Sequence, residues 1–219
     1  MSHRPFKERV FAQFARVGRA LASERRLELL DLLAQGPRHV EALATETDMS
    51  VANASQHLQV LRNARLVDSV RDGTKVLYRL ADRGVLHLLL ALRSVGESRL
   101  AEVGQIRREF AVEGADGTAV SRDELERLAH RGEVFLIDVR PAMEYEQGHL
   151  QGAVSLPVEE LPRRLDELPR DRRILAYCRG AYCLFADEAV VLLRRQGFDA
   201  VRLEGGWPEW WDEGRPVSG

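Results

Sequence analysis

The sequence predicts two domains of different fold class, a mainly α domain with a β-hairpin followed by an α/β domain. Helical periodicity and a hairpin turn occupy the first half of the 219 residues, whereas strand, loop and helix patterns occupy the second. A glycine-containing stretch lies between them. Because 45% of the residues are hydrophobic, the chain can fill two cores. We expect residues 1–112 to form the first domain, 113–120 a linker and 121–219 the second domain.

The net charge of −2 hides an asymmetry between the two halves. Residues 1–112 contain 18 Lys and Arg against 13 Asp and Glu, and residues 113–219 contain 14 against 21. The halves therefore carry charges of +5 and −7. A basic half joined to an acidic half indicates separate partners, and nucleic acid is the natural candidate for the basic half.

The sequence carries no sign of export or of membrane insertion. No apolar stretch reaches the roughly 18 residues of a membrane span, and the N-terminus lacks an apolar signal segment. Cys178 and Cys183 are the only cysteines, which does not resemble a secreted disulfide framework. We therefore expect a cytoplasmic protein without a membrane partner.

Helix signals in the first domain predict a helix-turn-helix. Ser23 can serve as the N-cap of one helix, which Gly36-Pro37 would end. A second helix is expected over residues 40–46. After a short turn, Ser50 can cap a third helix that runs to Arg65.

The third predicted helix is amphipathic. Its apolar face carries Val51, Ala54, Leu58 and Leu61. Its opposite side carries Asn53, Gln56 and Asn63, with Ser55, His57 and Gln59 beside them. Small polar side chains on the outer face are typical of a helix that reads the major groove, although an ordinary solvated face is the alternative.

A β-hairpin is predicted directly after this helix, because Asp72-Gly73 lies between two β-prone runs. Arg71 and Lys75 would flank its tip, either as DNA contacts or as plain surface charges. A helix-turn-helix followed by a basic hairpin is a winged helix. The candidate DNA-binding residues are Ser50, Asn53, Ser55, Gln56, His57, Arg71 and Lys75.

The first domain resembles the ArsR-type family of bacterial repressors. The resemblance rests on residues 21–27 (LASERRL), 55–61 (SQHLQVL) and 73–78 (GTKVLY). It implies a homodimer that pairs through its first and last helices and binds a double-stranded operator with inverted-repeat symmetry. The almost wholly apolar residues 85–92 agree with such pairing.

The metal-sensing residues of that family are missing from the sequence. Its members often bind metals through Cys in the helix before the recognition helix, or through Asp and His in the last helix. Here no Cys precedes Cys178, and His87 is the only His in the predicted last helix. We therefore expect no metal site and no cofactor, and the effector stays open.

One loop holds both cysteines. An apolar run at residues 174–177 precedes Cys178, and a helix-like segment covers residues 184–195. A strand, a glycine-containing loop and a helix start would place the Cys178 sulfur among backbone N–H groups, which favours a thiolate. A buried structural thiol is the alternative. The other residues of this Cys loop, residues 178–183, are Arg179, Gly180, Ala181, Tyr182 and Cys183.

Four ordered motifs in the second half resemble the rhodanese domain of sulfurtransferases. They are residues 135–140 (FLIDVR), 144–153 (EYEQGHLQGA), the Cys loop and 203–210 (LEGGWPEW). The resemblance covers residues 121–216 and implies an α/β fold with a parallel sheet. It assigns catalysis to Cys178 and support of the loop to Asp138 and Arg140. For His149 it implies a structural hydrogen bond rather than the role of a base.

The predicted chemistry is sulfur transfer. A Cys178 thiolate would attack a small sulfur donor such as thiosulfate or polysulfide and hold the sulfur as a persulfide. Arg179 would add a positive charge suited to anionic donors. Cys183 is either a resolving thiol or a packing residue of the next helix. The position where a phosphatase-type loop needs Arg is Leu184, which disfavours phosphoryl transfer.

The leading interpretation is a DNA-binding transcriptional regulator in which a Cys178 persulfide modulates operator binding. One alternative is a thiosulfate or polysulfide sulfurtransferase whose winged helix serves only dimerisation or localisation. The other is a repressor with a non-catalytic rhodanese-like docking domain. The residues leave open the operator, the physiological sulfur donor and acceptor, and the sign of the response.

Overall fold

The computed structural model describes residues 3–219, which divide after Leu92 into two units with separate cores. The predicted domain boundaries at residues 112 and 121 stay predictions. Residues 93–112 group with the second unit, and Ala119–Val120, at the end of the predicted linker, form a strand of its sheet. No helix within residues 3–219 combines the length and apolarity needed to cross a membrane.

The first unit is a winged helix. Its elements are α1 (Arg4–Leu21), α2 (Glu24–Leu33), β1 (Arg38–His39), α3 (Val40–Glu46), α4 (Val51–Asn63), β2 (Val67–Asp72), β3 (Lys75–Leu80) and the start of α5 (Arg83–Arg99). The three strands form an antiparallel sheet in the order β1-β3-β2. Leu30, Leu58 and Leu86 are fully buried, so α2, α4 and α5 each contribute to the core.

The predicted helix starts are confirmed, with one difference in how they are capped. Helix α2 begins after Ser23 and α3 has the predicted bounds. The Ser50 hydroxyl accepts the N–H of Asn53 at 3.2 Å, which satisfies a free donor in the first turn of α4. The Ser23 side chain makes no such bond, and α4 ends two residues earlier than predicted.

Two details of the helix-turn-helix and the hairpin differ from the prediction. Val51 was expected on the buried face of α4 but is 45% exposed, because it lies in the first turn, before the first buried residue, Ala54. In the hairpin Asp72 pairs with Lys75, so the turn consists of Gly73-Thr74, one residue later than expected. Gly73 has a φ of 61°, which glycine adopts without strain.

The second unit is built on a five-stranded parallel sheet, as expected for an α/β domain. Its elements after α5 are α6 (Ala101–Glu109), β4 (Ala119–Val120), α7 (Arg122–His130), β5 (Val134–Asp138), α8 (Ala142–Gln147), β6 (His149–Leu150), β7 (Val154–Ser155), two short 3-10 turns (Leu161–Arg163 and Leu165–Glu167), β8 (Arg173–Cys178), α9 (Phe185–Arg195), β9 (Ala200–Gly206), α10 (Trp207–Asp212) and β10 (Val217–Ser218). The strand order is β4-β9-β8-β5-β7. Strand β8, which ends at Cys178, is therefore central.

Side chains of β8 alternate between the two faces of the sheet, as in any strand. Ile174, Ala176 and Cys178 join the core cluster that includes buried residues of α9. Leu175 and Tyr177 join the cluster on the other face, which includes tryptophans of α10. The last two residues of β8 thus point to opposite faces.

Candidate functional site

The Cys loop leaves the carboxyl end of β8 and leads into α9. The thiol of Cys178 lies 3.4 Å from the carbonyl oxygen of Cys183 and 3.9 Å from that of Gly180. Cys178 is 1% exposed, whereas Cys183 is half-buried, and neither forms a disulfide. The loop therefore folds over the first sulfur and leaves the second closer to solvent.

Backbone N–H groups of the loop and of α9 are divided between the two sulfurs. Those of Gly180 and Ala186 act to lower the pKa of Cys178. Those of Arg179 and Phe185 act to lower the pKa of Cys183. The partial positive charge of the α9 N-terminus therefore stabilises negative charge on either sulfur.

Burial and hydrogen bonding make the pKa values of the two thiols differ. Burial raises the pKa of the Cys178 thiol well above its usual range, and the hydrogen bond to Cys183 and the charge there raise it further. The same hydrogen bond lowers the pKa of Cys183, and the two backbone donors assist. The sequence predicts the thiolate on Cys178, whereas the structure favours it on Cys183, because the amides oppose burial only in part at the deeper sulfur.

Arg179 is neutralised by Glu144 of α8. Its Nε donates to the two Glu144 carboxylate oxygens at 2.8 and 3.1 Å, and Nη2 donates to Oε1 as well. Glu144 is 1% exposed. The expected free cation for anionic donors is therefore an ion pair that ties the Cys loop to α8. Sequence analysis gave Glu144 no role, although its place in the second motif was an available signal.

Asp138 and Arg140 form a fully buried ion pair at the end of β5. Arg140 Nη2 lies 2.7 Å from Asp138 Oδ2 and also donates to the Gly148 carbonyl at 2.7 Å. The Tyr177 hydroxyl donates to Asp138 at 2.6 Å and accepts the Leu150 N–H at 3.1 Å. The pair thus fixes Tyr177, the residue directly before Cys178, and does not touch the sulfur.

His149 has the geometry of a structural residue. Its Nδ1 lies 2.9 Å from the Tyr145 carbonyl oxygen, and its ring stacks on that of Tyr145 with the centroids 3.7 Å apart. This agrees with the expected structural hydrogen bond.

Gly206 of the fourth motif packs against the backbone of the Cys loop. A Cβ on Gly206 would lie 2.2 Å from the Cys178 carbonyl oxygen and 2.4 Å from the Gly180 nitrogen, so only glycine fits. Glu209 accepts the Gly206 N–H at 2.9 Å, and burial raises the pKa of its carboxyl. The guanidinium carbon of Arg140 lies over the Trp207 ring, 5.1 Å from its centroid.

Tyr182 links the Cys loop to the end of α5. Its hydroxyl donates to Glu97 Oε1 at 2.9 Å, and the Arg93 guanidinium lies 5.6 Å from its ring centroid. Burial and the Glu97 carboxylate raise the pKa of Tyr182 to about 12, so its hydroxyl stays a donor at neutral pH. Sequence analysis placed Tyr182 in the loop but did not find Glu97, which lies 85 positions away.

The candidate DNA-binding residues lie on α4 and on the hairpin. Asn53 and Gln56 are exposed on α4, and Ser55 and His57 beside them are half-buried. Arg71 and Lys75 are exposed on β2 and β3, and Ser50 is exposed at the cap. Arg62 of α4, which sequence analysis missed, donates to Ser69 of β2 at 3.1 Å and so connects the helix to the hairpin.

Known proteins match both halves of the chain. A model of bacterial regulatory proteins of the arsR family matches residues 23–69, and a rhodanese-like domain model matches residues 121–213. The HTH-type transcriptional regulator Rv0324 of Mycobacterium tuberculosis is 46% identical over 212 residues, which cover 97% of this chain and 93% of the relative.

Two further matches each cover less than half of the chain. A sulfurtransferase of Allochromatium vinosum is 36% identical over 93 residues, which cover 42% of this chain and 85% of the relative. The solution structure of the homodimeric winged helix-turn-helix DNA-binding domain of Mb0332 from Mycobacterium bovis is 46% identical. It matches with a TM-score of 0.43 and covers 46% of this chain and 91% of that one.

The winged helix and the Cys loop on a parallel sheet define a DNA-binding regulator joined to a rhodanese-like domain. The chain belongs to the arsR family of bacterial regulatory proteins and carries a rhodanese-like domain at its C-terminal side. It is an ArsR-type transcriptional regulator.

The division of charge between the cysteines predicts how the reduced protein reacts with iodoacetamide. Near neutral pH we expect alkylation of Cys183 before Cys178, because a lowered pKa increases the thiolate fraction of Cys183 and a raised pKa decreases that of Cys178. As the pH rises, labelling of Cys178 should follow that of Cys183. Peptide mass spectrometry would assign the sites, with protein unfolded in urea as the control. Earlier labelling of Cys178 would contradict the prediction.

The buried ion pair predicts a large loss of stability in Asp138→Asn. The substitution leaves the Arg140 guanidinium buried without its counter-charge, which costs about 3–5 kcal/mol. Urea unfolding followed by tryptophan fluorescence would measure it, since all three tryptophans lie in the second unit. The matched control is Asp199→Asn, which breaks the exposed pair with Arg173 and should change stability little. Equal effects of the two substitutions would contradict the proposed support.

Proposed function

We propose that this regulator binds its operator with an affinity that depends on sulfane sulfur captured at Cys178. The observation that carries the proposal is the hydrogen bond between Tyr182 and Glu97. Tyr182 lies between the two cysteines, so a change at either sulfur alters the segment that holds it. Glu97 belongs to α5, whose buried residues Val85 and Leu86 lie in the core of the winged helix.

Exposed apolar side chains on α1 and α5 support a homodimer. Three phenylalanines of α1 are between 64% and 69% exposed, and three aliphatic residues of α5 are exposed as well. Such faces on single helices favour burial against another surface. The residues are Phe6, Phe11, Phe14, Leu88, Leu92 and Val95. A dimer of this kind would bind an inverted repeat with half-sites about 10 bp apart.

The operator would be read by α4 and held by the hairpin. We assign base contacts to α4, centred on Asn53 and Gln56, with Ser50, Ser55 and His57 beside them. Arg71 and Lys75 would neutralise phosphates on either side of the hairpin turn. The exposure of these side chains and the charge of +5 on residues 1–112 support the assignment.

Sulfur capture would begin with a proton transfer inside the cysteine pair. The Cys178 proton passes to the Cys183 thiolate along their hydrogen bond, which leaves Cys178 as the nucleophile. Cys178 attacks the outer sulfur of thiosulfate, the S–S bond breaks, and sulfite leaves with the bonding electrons. The N–H groups of Gly180 and Ala186 would stabilise the resulting persulfide anion.

A second step would convert capture into a conformational change. Once Cys183 has lost its proton to solvent, its thiolate attacks the inner sulfur of the protonated Cys178 persulfide. A disulfide forms between the cysteines and hydrosulfide leaves with the electrons of the broken S–S bond. Drawing residues 178 and 183 together would displace Tyr182 from Glu97. Loss of this contact would then change the stability of the operator-bound dimer relative to the free dimer.

The sulfurtransferase without a regulatory role is the second candidate function. It is favoured by the 36% identity to the sulfurtransferase of Allochromatium vinosum, which extends over 93 residues, 42% of this chain. The non-catalytic docking domain is favoured by the burial and raised pKa of Cys178. The three candidate functions differ in whether Cys178 takes up sulfur and whether this uptake changes operator affinity.

The assigned DNA contacts predict two kinds of binding defect. Gln56→Ala should weaken operator binding by about 1–3 kcal/mol and relax specificity at one base pair if the side chain makes a bidentate contact. Lys75→Ala should weaken binding to all sequences and reduce the slope of log affinity against log salt by about one. Gln105→Ala, on exposed α6, is the matched control. Fluorescence anisotropy on selected duplexes would measure all three, and unchanged binding by both variants would overturn the assignment.

The sensor proposal predicts that thiosulfate or polysulfide changes operator affinity at least about tenfold, a coupling of about 1.4 kcal/mol. The wild type should gain about 32 Da at Cys178 before the disulfide closes. Cys178→Ser should lose both the adduct and the response. Cys183→Ser should keep the adduct, form it about 10²-fold more slowly without its base, and lose the response.

Tyr182→Phe separates capture from coupling, because it removes only the hydroxyl bonded to Glu97. It should load sulfur as the wild type does, but its operator affinity in the reduced state should already be shifted towards that of the sulfur-treated wild type, with a smaller further response to sulfur. A wild type that loads sulfur without any change in affinity would establish the uncoupled sulfurtransferase. A wild type that loads none would establish the docking domain.

A further inference from the structure

Cys183 is the more accessible sulfur of the Cys loop. Its side chain is half-buried, whereas Cys178 is 1% exposed. Its neighbours in sequence, Tyr182 and Leu184, are 43% and 39% exposed. A small molecule that approaches the loop from solvent therefore meets Cys183 first. The sulfur capture proposed above uses this thiol only as a base and a resolving group, and gives it no reaction in which it is the first nucleophile.

Backbone groups at the start of α9 stabilise a thiolate on Cys183. The Cys183 N–H donates to the Gly180 carbonyl at 3.2 Å, which fixes the residue in the last turn of the loop. The N–H groups of Arg179 and Phe185 lower the pKa of its thiol, in keeping with the positive end of α9. A thiolate that solvent can reach is the form of cysteine that hydroperoxides oxidise.

The charges beside Cys183 favour an uncharged oxidant. Arg179 Nε donates to the Glu144 carboxylate oxygens at 2.8 and 3.1 Å, and its guanidinium carbon lies 5.9 Å from the Phe185 ring centroid. These contacts hold the guanidinium where it lowers the pKa of Cys183. Because Glu144 balances its charge, the ion pair attracts an anion from solvent only weakly. Hydrogen peroxide and small alkyl hydroperoxides carry no charge at neutral pH, so they need no such attraction.

Cys178 lies where it can act on an oxidised Cys183. Its thiol donates towards the Cys183 carbonyl oxygen at 3.4 Å, and the two thiols are hydrogen-bonded. Burial raises the pKa of Cys178 and shields it from solvent, so this thiol reacts slowly with a peroxide. Contact with Cys183 makes a second step intramolecular, which compensates for the low thiolate fraction.

We propose that Cys183 is a second reactive centre of this chain, a thiol that reduces hydroperoxides with Cys178 as its resolving partner. The Cys183 thiolate attacks one peroxide oxygen, the O–O bond breaks, and hydroxide leaves with the bonding electrons and takes a proton from solvent. An alkyl hydroperoxide releases an alcohol in the same way. The Cys178 sulfur then attacks the Cys183 sulfenic acid, the S–O bond breaks, and the hydroxyl leaves with the Cys178 proton as water. Two thiols are oxidised to a disulfide and one hydroperoxide is reduced.

This reaction uses the cysteines in the opposite order to sulfur capture. There Cys178 reacts first and Cys183 resolves, whereas here Cys183 reacts first. Both routes end in a disulfide between residues 178 and 183, so the loop responds to two classes of oxidant. Single serine variants therefore separate the two reactions.

Dimedone, which reacts with sulfenic acids, tests the order of reaction in reduced protein treated with hydrogen peroxide. In Cys178→Ser the dimedone adduct should form on Cys183, because the serine hydroxyl keeps a hydrogen-bond donor beside that sulfur. In Cys183→Ser an adduct on Cys178 should form at least about tenfold more slowly, since that thiol is buried and protonated at neutral pH. Peptide mass spectrometry assigns the sites. Equal rates in the two variants, or a faster reaction at Cys178, would overturn the proposal.

The pH dependence of the reaction distinguishes activation of Cys183 from simple accessibility. The rate for folded Cys178→Ser should reach its plateau at a lower pH than the rate for the same variant unfolded in urea. The reason is that a lowered pKa forms the Cys183 thiolate earlier as the pH rises. Coincident pH profiles for the folded and unfolded variant would overturn the proposal.

The wild type separates this inference from the proposed function. With hydrogen peroxide in excess, a disulfide within one chain should form at a rate independent of protein concentration, and no dimedone adduct should accumulate. A disulfide between copies, with a yield that rises with protein concentration, would overturn the role of Cys178. If thiosulfate adds no sulfur at Cys178 but peroxide oxidises Cys183, the inference holds and only the sulfur capture fails. If sulfur loads but peroxide leaves both thiols reduced, the inference is overturned while the capture stands.

Discussion

The second unit depends on a buried ion pair that does not contact the Cys178 sulfur. Asp138 and Arg140 are both fully buried, and their attraction in a low-dielectric interior compensates for the lost hydration only because every strong donor and acceptor is engaged. Arg140 holds the turn at Gly148, and Asp138 holds the Tyr177 hydroxyl. Through Tyr177 the pair sets where β8 ends. The position of Cys178, and with it the whole loop, follows from that end.

At the Cys loop the backbone N–H groups are shared between the two sulfurs instead of being directed at one of them. One helix terminus and one short loop provide four N–H groups, two for each sulfur. The deeper sulfur also loses its hydration, so equal numbers of donors do not give equal acidity. The sulfur capture proposed above would use this arrangement by moving one proton between the two sulfurs. The Arg179 guanidinium also lowers the pKa of Cys183, although it is paired with Glu144.

Local signals predicted the parts of the fold that depend on neighbours in sequence. The bounds of α3, the cap at Ser50 and the strand before Cys178 follow from capping chemistry and periodicity. Helix α6 was not predicted, since its N-cap is Leu100, which has no side-chain acceptor, and it has no buried face. The pairing of Glu144 with Arg179 joins residues 35 positions apart, so no local pattern contains it. The ionisation of the cysteines escaped prediction for a similar reason, because it depends on burial in the folded unit.

Tyr177 and Cys178 of β8 point to opposite faces of the sheet, which limits the insertions and deletions that this strand can accept. The phenol belongs to one face of the sheet and the thiol to the other, with a single peptide bond between them. A slip of one residue would exchange them, placing the phenol against α9 and the thiol beside Asp138. One inserted or deleted codon between Arg173 and Cys178 would therefore disrupt the ion-pair network and the Cys loop together. Length variation in relatives should be confined to the loops at the opposite end of this strand.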